Sequence, residues 1–144
     1  STATLRYDVD GVNVLKAVTR LGFANENYAG DYGGVINQTN SGCTPSSQNG
    51  TYPGQVTVFR ITQTGTAVTA QVAASGGGSC TYNGTYEQRG KLGYVGGAFS
   101  CTSGEAGSFS MLDMRVLPWG LALRFSASSN LCTAVTGEVT ATRL

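Results

Sequence analysis

The four cysteines are the residues whose type and spacing most directly suggest chemistry. They are Cys43, Cys80, Cys101 and Cys132, none of them in a C-x-x-C pair, and the chain has no histidine to complete a zinc site. Two disulfide bonds are therefore favoured over a metal site, and disulfides persist in oxidising compartments. We expect a protein that is secreted, periplasmic or displayed on the cell surface. The start of the chain, STATLRYD without a methionine, is typical of a processed mature form or of a trimmed chain.

Catalytic groups are scarce in this chain. Without histidine, a Ser/His/Asp or Cys/His nucleophile is excluded. Acidic residues could supply a glycosidase pair, but Asp31, Glu87, Asp113 and Glu138 all fall on the face that we predict to be exposed. The stretch Asp8-Val9-Asp10-Gly11 contains part of a calcium-loop pattern without its remaining ligands, and a turn or a helix cap explains it better. We therefore predict a protein that is not an enzyme and that needs no metal or cofactor.

Size and charge narrow the class of protein further. A chain of 144 residues fits one domain with a sizeable core. The net charge of +1 provides no basic stripe for nucleic acid. No apolar run is long enough to span a bilayer. We expect neither a nucleic-acid partner nor a membrane span.

The segment from Cys80 to Cys101 predicts a complete β-hairpin with a cysteine at each open end and a turn within residues 88–92. The apolar residues alternate with polar ones, as a half-buried strand requires. The residues that face each other on the inner side are Cys80 with Cys101, Tyr82 with Phe99, Gly84 with Gly97, and Tyr86 with Val95. Directly opposed positions satisfy the short separation that a disulfide needs, so we predict a Cys80–Cys101 bond.

The chain from residue 27 onward has strand patterns separated by turn residues, which is typical of a β-barrel or a β-sandwich. The predicted strands are Tyr28–Asn37, Gln55–Thr62, Ala67–Ala74, Cys80–Gln88, Gly93–Cys101, Ser108–Val116, Leu121–Ala127 and Cys132–Thr142. Residues 38–54, rich in Ser, Asn, Gly and Thr, are expected to form one long loop.

Residues 1–26 form an N-terminal arm outside this pattern. Val12, Leu15, Val18 and Leu21 recur at three-residue steps, which predicts a short helix over residues 8–23. A strand over residues 12–20 is the alternative, because this stretch contains several β-branched residues. The domain organisation is then an arm, residues 1–26, followed by a disulfide-stapled β-barrel domain, residues 27–144.

One register gives a single apolar face around the sheet. The predicted inner pairs are Phe59 with Ala70, Ile61 with Val68, Val72 with Tyr82, Phe99 with Leu112, Val95 with Val116, Met114 with Leu123, Leu112 with Phe125, and Phe125 with Val135. Outside, Asp113 faces Arg124. If the last strand pairs with the first so that Cys43 faces Cys132, then Val139 faces Ile36, Ala141 faces Gly34 and Arg143 faces Tyr32. We therefore predict a Cys43–Cys132 disulfide and an all-β, eight-stranded antiparallel up-and-down meander closed into a small barrel. A two-sheet β-sandwich is the alternative.

This arrangement resembles the lipocalin-like, calycin-type barrels over residues 27–144. Gly30-Asp31-Tyr32 on the first strand stands where that family has G-x-W, with tyrosine for tryptophan, and an arginine, Arg143, ends the last strand. The resemblance implies a binding cavity in the mouth of the barrel. It also implies that Tyr32 and Arg143 close one end of the barrel.

The inner face suggests a pocket for a small apolar or aromatic ligand, with tyrosine hydroxyls as its polar groups. The candidate ligand-binding residues are Tyr32, Phe59, Tyr82, Tyr86, Phe99, Phe125 and Arg143. The inner positions Gly34, Gly84, Gly97 and Gly137 either leave space for that ligand or serve close packing and curvature.

Three functions stay open. The first is a secreted binding protein that holds a ligand in the barrel or a partner on its surface. The second is a structural subunit of an extracellular or cell-envelope assembly that uses the arm for self-association or to bind a partner protein. The third, which we favour least, is a glycan-active enzyme.

Overall fold

The structure, a computed structural model, describes residues 2–19, 25–73 and 78–144. Within these ranges the chain forms ten β-strands and one 3-10 turn, Ser46–Gln48. The strands are β1 (Thr2–Val9), β2 (Val12–Thr19), β3 (Gly30–Cys43), β4 (Gly50–Thr64), β5 (Ala67–Ala73), β6 (Ser79–Arg89), β7 (Leu92–Cys101), β8 (Ala106–Leu117), β9 (Gly120–Ser129) and β10 (Cys132–Arg143).

Strands β3 to β10 form a closed antiparallel barrel in which each strand pairs with its neighbours in sequence and β10 pairs with β3. The predicted eight-stranded up-and-down barrel is confirmed, and the β-sandwich alternative is wrong. The architecture is compatible with a lipocalin-like barrel. Closure leaves these eight strands without a free edge along which another chain could add.

Both predicted disulfides are present, and all four cysteines are bonded. Cys80 lies opposite Cys101 across β6 and β7, in the predicted hairpin register, with a two-residue turn at residues 90–91. Cys43 lies opposite Cys132 across β3 and β10, and the same register places Arg143 opposite Tyr32. The two bonds fit an oxidising, extracellular compartment.

Other predicted registers are wrong by two residues. Phe59 faces Val72 rather than Ala70, and Phe125 faces Gly137 rather than Val135. Likewise, Ile61 faces Ala70 rather than Val68, and Tyr82 faces Ala70 rather than Val72. A shift of two residues keeps every side chain on its face of the sheet, so the predicted inner face survives the error.

A bulge in β8 overturns the prediction that Leu112 faces inward. Phe109 lies opposite Gly97 and Met111 opposite Val95, so neither Phe99 nor Val95 pairs as predicted with Leu112 or Val116. The predicted Leu112–Phe125 pair is replaced by Met111–Phe125. The register changes around Asp113, which has a positive φ of 51°. Leu112, rather than Asp113 as predicted, lies opposite Arg124, although Arg124 Nε still donates to Asp113 Oδ2 at 2.8 Å.

Residues 2–19 form a separate two-stranded sheet, β1–β2. The predicted helix is therefore wrong over residues 8–19, and the strand alternative is confirmed over residues 12–19; residues 20–24 lie outside the described residues. The cause is Asp10-Gly11, which have φ of 51° and 79° and so adopt the mirror-image turn that joins twisted strands. Asp8 Oδ1 accepts the Gly11 amide at 2.9 Å. In the described part of the chain, no helix has the length and apolarity needed to cross a membrane.

The predicted loop over residues 38–54 is also wrong, because β3 continues to Cys43 and β4 begins at Gly50. Pro53 and Gly54 lie within β4, where the register against β3 changes. A bulge accommodates both, since proline cannot donate to the ladder and Gly54 takes a φ of 69°. Asn37 Oδ1 accepts the freed Gly54 amide at 2.8 Å. The longer strands extend the barrel wall towards the disulfides.

Candidate functional site

One end of the barrel, which we call the closed end, is filled by side chains. Residues 25–29 lead into β3 at this end, where the turns at residues 65–66, 90–91 and 118–119 also lie. Tyr28 is fully buried there, and its ring centroid is 5.6 Å from that of Tyr86. Val95, Met114 and Leu121 are also fully buried. Tyr28 therefore acts as a plug at the base of the core.

Hydrogen bonds hold the plug in place. The Tyr28 hydroxyl donates to the Met114 carbonyl at 3.0 Å, and the Tyr28 amide donates to Gln63 Oε1 at 3.0 Å. The Tyr32 hydroxyl donates to the Tyr28 carbonyl at 2.9 Å. Burial raises the pKa of the Tyr28 phenol far above its usual value, and the neighbouring Tyr86 raises it further. The phenol therefore stays neutral and serves as a structural donor.

Arg143 belongs to the closed end as well. Its guanidinium donates to the Ala29 carbonyl, and its central carbon lies 6.0 Å from the centroid of the Tyr32 ring. Tyr32 is buried and stacks on Phe59 with a centroid distance of 5.3 Å. Arg143 thus covers the outside of the closed end, while its side chain remains exposed to solvent.

The opposite end, which we call the open end, contains a cavity of about 480 Å³. This volume falls in the range of small-molecule sites in proteins. Both disulfides lie at this end, and Cys80, Cys101 and Cys132 border the cavity. Its apolar lining includes Ile36, Phe59, Ile61, Val72, Tyr82, Phe99, Phe109, Met111, Leu123, Phe125, Val135 and Val139.

Aromatic rings form one wall of this cavity. Tyr82 stacks on Phe99 with centroids 5.0 Å apart, and Phe109 meets Tyr82 edge-on at 5.1 Å. The three rings come from β6, β7 and β8, where the hairpin register places Tyr82 opposite Phe99. Such a wall presents both ring faces and ring edges, so it suits a flat aromatic or an aliphatic group.

Polar groups gather towards the mouth of the cavity. Gln38, Asn40, Gln48 and Gln55 contribute neutral amides, and Gln38 Nε2 donates to Asn40 Oδ1 at 3.1 Å. Glu105 is the one charged residue among the described residues that line the cavity. Burial raises the pKa of the Tyr82 phenol, and the negative charge of Glu105, which lines the same cavity, raises it further.

Four of the seven candidate ligand-binding residues line this cavity: Phe59, Tyr82, Phe99 and Phe125. The other three, Tyr32, Tyr86 and Arg143, lie at the closed end and do not border it. They share the inner face or its margin, but they stand about 20 Å or more along their strands from the disulfide end, given a rise of roughly 3.3 Å per residue.

Sequence reasoning missed Glu105 and Phe109 as lining residues. The correct pairing of β7 with β8 would have identified both residues. Phe99 faces Gly107, so Glu105 and Phe109, two residues before and after Gly107, point inward. The predicted Phe99–Leu112 pairing reversed that alternation and placed the wrong residues inside.

The predicted inner glycines do not create the cavity, because none of them borders it: Gly34, Gly84, Gly97 and Gly137. A Cβ at Gly34 would lie 2.6 Å from the Ala141 Cβ, and one at Gly137 would lie 2.7 Å from the ring of Phe125. These glycines allow close packing between neighbouring strands. The cavity instead arises because the side chains at the open end do not fill it.

Comparisons with protein-family models, with curated proteins and with solved structures find no match to this chain.

Proposed function

We propose that the protein is a non-catalytic, secreted or cell-envelope binding protein that holds a small apolar or aromatic molecule in the open end of its barrel, as lipocalin-like barrels do. The observation that carries the proposal is the cavity of about 480 Å³ between the two disulfides, with its aromatic wall and polar mouth. An apolar ligand entering it would remove apolar surface from water on both sides of the interface, which is favourable by about 25 cal/mol per Å².

The proposal predicts that a neutral aromatic probe, 2-naphthylmethanol, binds in the cavity. The change in the fluorescence of the probe measures its binding. We expect saturable binding to the wild-type protein. Ala127 lines the cavity from β9, so Ala127→Trp should fill the space and weaken binding at least tenfold. Val72→Trp fills the same cavity from β5 and should have the same effect.

A matched control comes from the outer face. Ala98 lies exposed on β7, and Ala98→Trp introduces the same indole away from the cavity, so binding should be unchanged. Circular dichroism checks that each variant folds. Absence of saturable binding to the wild-type protein, or undiminished binding to folded variants of both Ala127 and Val72, would contradict the proposal.

A second candidate function, self-association through the N-terminal hairpin, is favoured by a specific observation. One face of the β1–β2 sheet exposes Leu5, Val9 and Val12, at 50%, 51% and 63% exposure, beside Lys16. Within the described ranges, no hydrogen bond joins this hairpin to the barrel. A two-stranded sheet is only marginally stable alone in water, so a further strand would stabilise it.

We propose a second copy of this chain as the partner, because β1 is complementary to itself in charge. An antiparallel β1–β1 pairing centred on Tyr7 places Arg6 opposite Asp8 of the other copy, twice by symmetry, and Leu5 opposite Val9. Strand β2 contains one charged residue, Lys16, and offers no such pairing. The β1 edge is thus the better-suited surface.

Charge reversal tests this pairing. Arg6→Asp and Asp8→Arg should each dissociate the dimer, because each places like charges opposite one another. Mixing the two variants should restore association as a heterodimer, measured by analytical ultracentrifugation. Lys16→Glu is the control and should leave association unchanged. A monomeric wild-type protein, or a dimer that both single variants retain, would rule out the proposed interface.

A further inference from the structure

The open end of the barrel carries an unusual distribution of charge. The strand ends and loops that surround it within the described residues are 43–50, 73, 78–80, 101–106 and 129–132, and Glu105 is their one charged residue. Among the described strand ends and loops, the entrance to the cavity therefore bears a single charge, and it is negative.

No basic residue neutralises this carboxylate from nearby along the strands. The basic residue closest in sequence to the open end of its strand is Arg124, which precedes the end of β9 at Ser129 by five residues, roughly 17 Å. Arg124 is exposed and pairs with Asp113. Screening reduces interactions between exposed charges beyond about 8 Å at physiological ionic strength. Among the charged residues of the described barrel strands and their connections, Glu105 thus contributes most to the field at the cavity entrance.

The Glu105 carboxylate also has no partner among the described side chains. Glu105 is half-buried and is the one charged residue among the described residues that line the cavity, and within the described ranges no hydrogen bond or ion pair joins its carboxylate to another side chain. Its own backbone is fixed by the Cys101 amide, which donates to the Glu105 carbonyl at 2.7 Å. A partly desolvated carboxylate is stabilised by an opposite charge or a hydrogen-bond donor. A bound ligand with such a group would supply that partner.

Other groups that line the cavity suit a cation as well. The amides of Gln38, Asn40, Gln48 and Gln55 offer carbonyl oxygens that accept from an ammonium. The stacked Tyr82 and Phe99 rings offer aromatic faces that attract a positive charge. An anionic head would instead meet the carboxylate without a compensating basic residue.

We infer that the cavity selects ligands with an apolar or aromatic body and an amine-type cationic head, held by Glu105 at the open end. This inference rests on the proposed function, because it requires that the cavity binds a ligand at all. It adds the chemical class of the ligand and the residue that discriminates between head groups.

Three ligands with one ring system separate the inference from the proposed function. They are 2-naphthylmethanol, 2-naphthylmethylamine, which is protonated at neutral pH, and 2-naphthoate. We expect the ammonium to bind the wild-type protein about tenfold more tightly than the alcohol, which corresponds to about 1.4 kcal/mol. The carboxylate should bind more weakly than the alcohol. Added salt should reduce the preference for the ammonium and leave binding of the alcohol unchanged.

Glu105→Gln, which keeps the shape of the side chain and removes its charge, should lower ammonium affinity to the level of the alcohol without affecting the alcohol. Glu105→Asp should retain part of the preference, and Glu138→Gln, at an exposed acid on β10, should retain all of it. Equal binding of the three ligands, or a preference that survives Glu105→Gln, would overturn the inference while leaving the proposed function standing. Failure of all three ligands to bind would overturn both.

Discussion

At the scale of single residues, the most informative contact is between Tyr28 and Gly93. A Cβ at Gly93 would lie 2.6 Å from the Tyr28 hydroxyl and 2.9 Å from the Tyr86 ring, so glycine is the residue that leaves room for the plug. The hydroxyl satisfies the Met114 carbonyl in a buried position. The closed end therefore depends on a phenol and on the missing side chain opposite it.

A double-mutant cycle measures this dependence. Tyr28→Phe should cost about 1–3 kcal/mol in the free energy of unfolding, because the Met114 carbonyl loses its partner. Gly93→Ala should cost a similar amount, about 1–3 kcal/mol, by overpacking. The double variant should cost less than the sum by at least about 0.5 kcal/mol, since the added methyl no longer meets a hydroxyl oxygen. Urea denaturation gives all three values, and strictly additive costs would show that the two residues do not interact.

At the scale of elements, the sequence was sufficient for the closed barrel and for two of its pairings. The predicted β6–β7 and β3–β10 registers are confirmed. Each of these strand pairs contains a cysteine pair, and a slip by two residues would separate the two cysteines. The β4–β5 pairing has no such marker, and a slip by two keeps Phe59 inside, so hydrophobic pattern alone did not exclude the error.

Local backbone geometry explains the larger errors. A bulge at Asp113 reverses which residues of β8 face inward. A prediction made without this bulge places Leu112 inside the barrel and leaves Glu105 out of the candidate site. Asp10-Gly11 between apolar alternating residues was a direct hairpin signal, yet the three-residue spacing of Val12, Leu15 and Val18 favoured a helix. Tyr82 and Phe99 of the aromatic wall followed from alternation, whereas Phe109 and the charged residue Glu105 required the bulge.

At the scale of the whole molecule, the buried tyrosines tie stability to alkaline pH. Burial raises the pKa of the phenols of Tyr28, Tyr32, Tyr82 and Tyr86 in the folded protein. In the unfolded chain these phenols ionise near pH 10. Above that pH the unfolded state binds fewer protons than the folded state, so the free energy of unfolding falls as pH rises.

We therefore expect these phenols to leave the free energy of unfolding unchanged below about pH 10. As the pH rises from there through the pKa values of the phenols in the folded protein, the free energy of unfolding should fall progressively. Urea denaturation across this range measures the loss, and absorbance of tyrosinate follows ionisation in the folded protein. Because all four cysteines are bonded, no free thiol of this chain initiates disulfide exchange at high pH. Stability that stays flat well above pH 10 would contradict the expectation.

The two disulfides lie on opposite sides of the cavity entrance. Around the barrel, the β10–β3 and β6–β7 seams are bonded and lie diametrically opposite each other, with β4 and β5 on one side and β8 and β9 on the other. The β8–β9 seam is reinforced, since Asn130 accepts the Ala106 amide at 3.0 Å and donates to the Gly104 carbonyl at 3.2 Å. The disulfides therefore hold the open end covalently across one diameter of the barrel, and hydrogen bonds such as that from Thr57 Oγ1 to the Ala73 carbonyl at 3.4 Å hold it across the other.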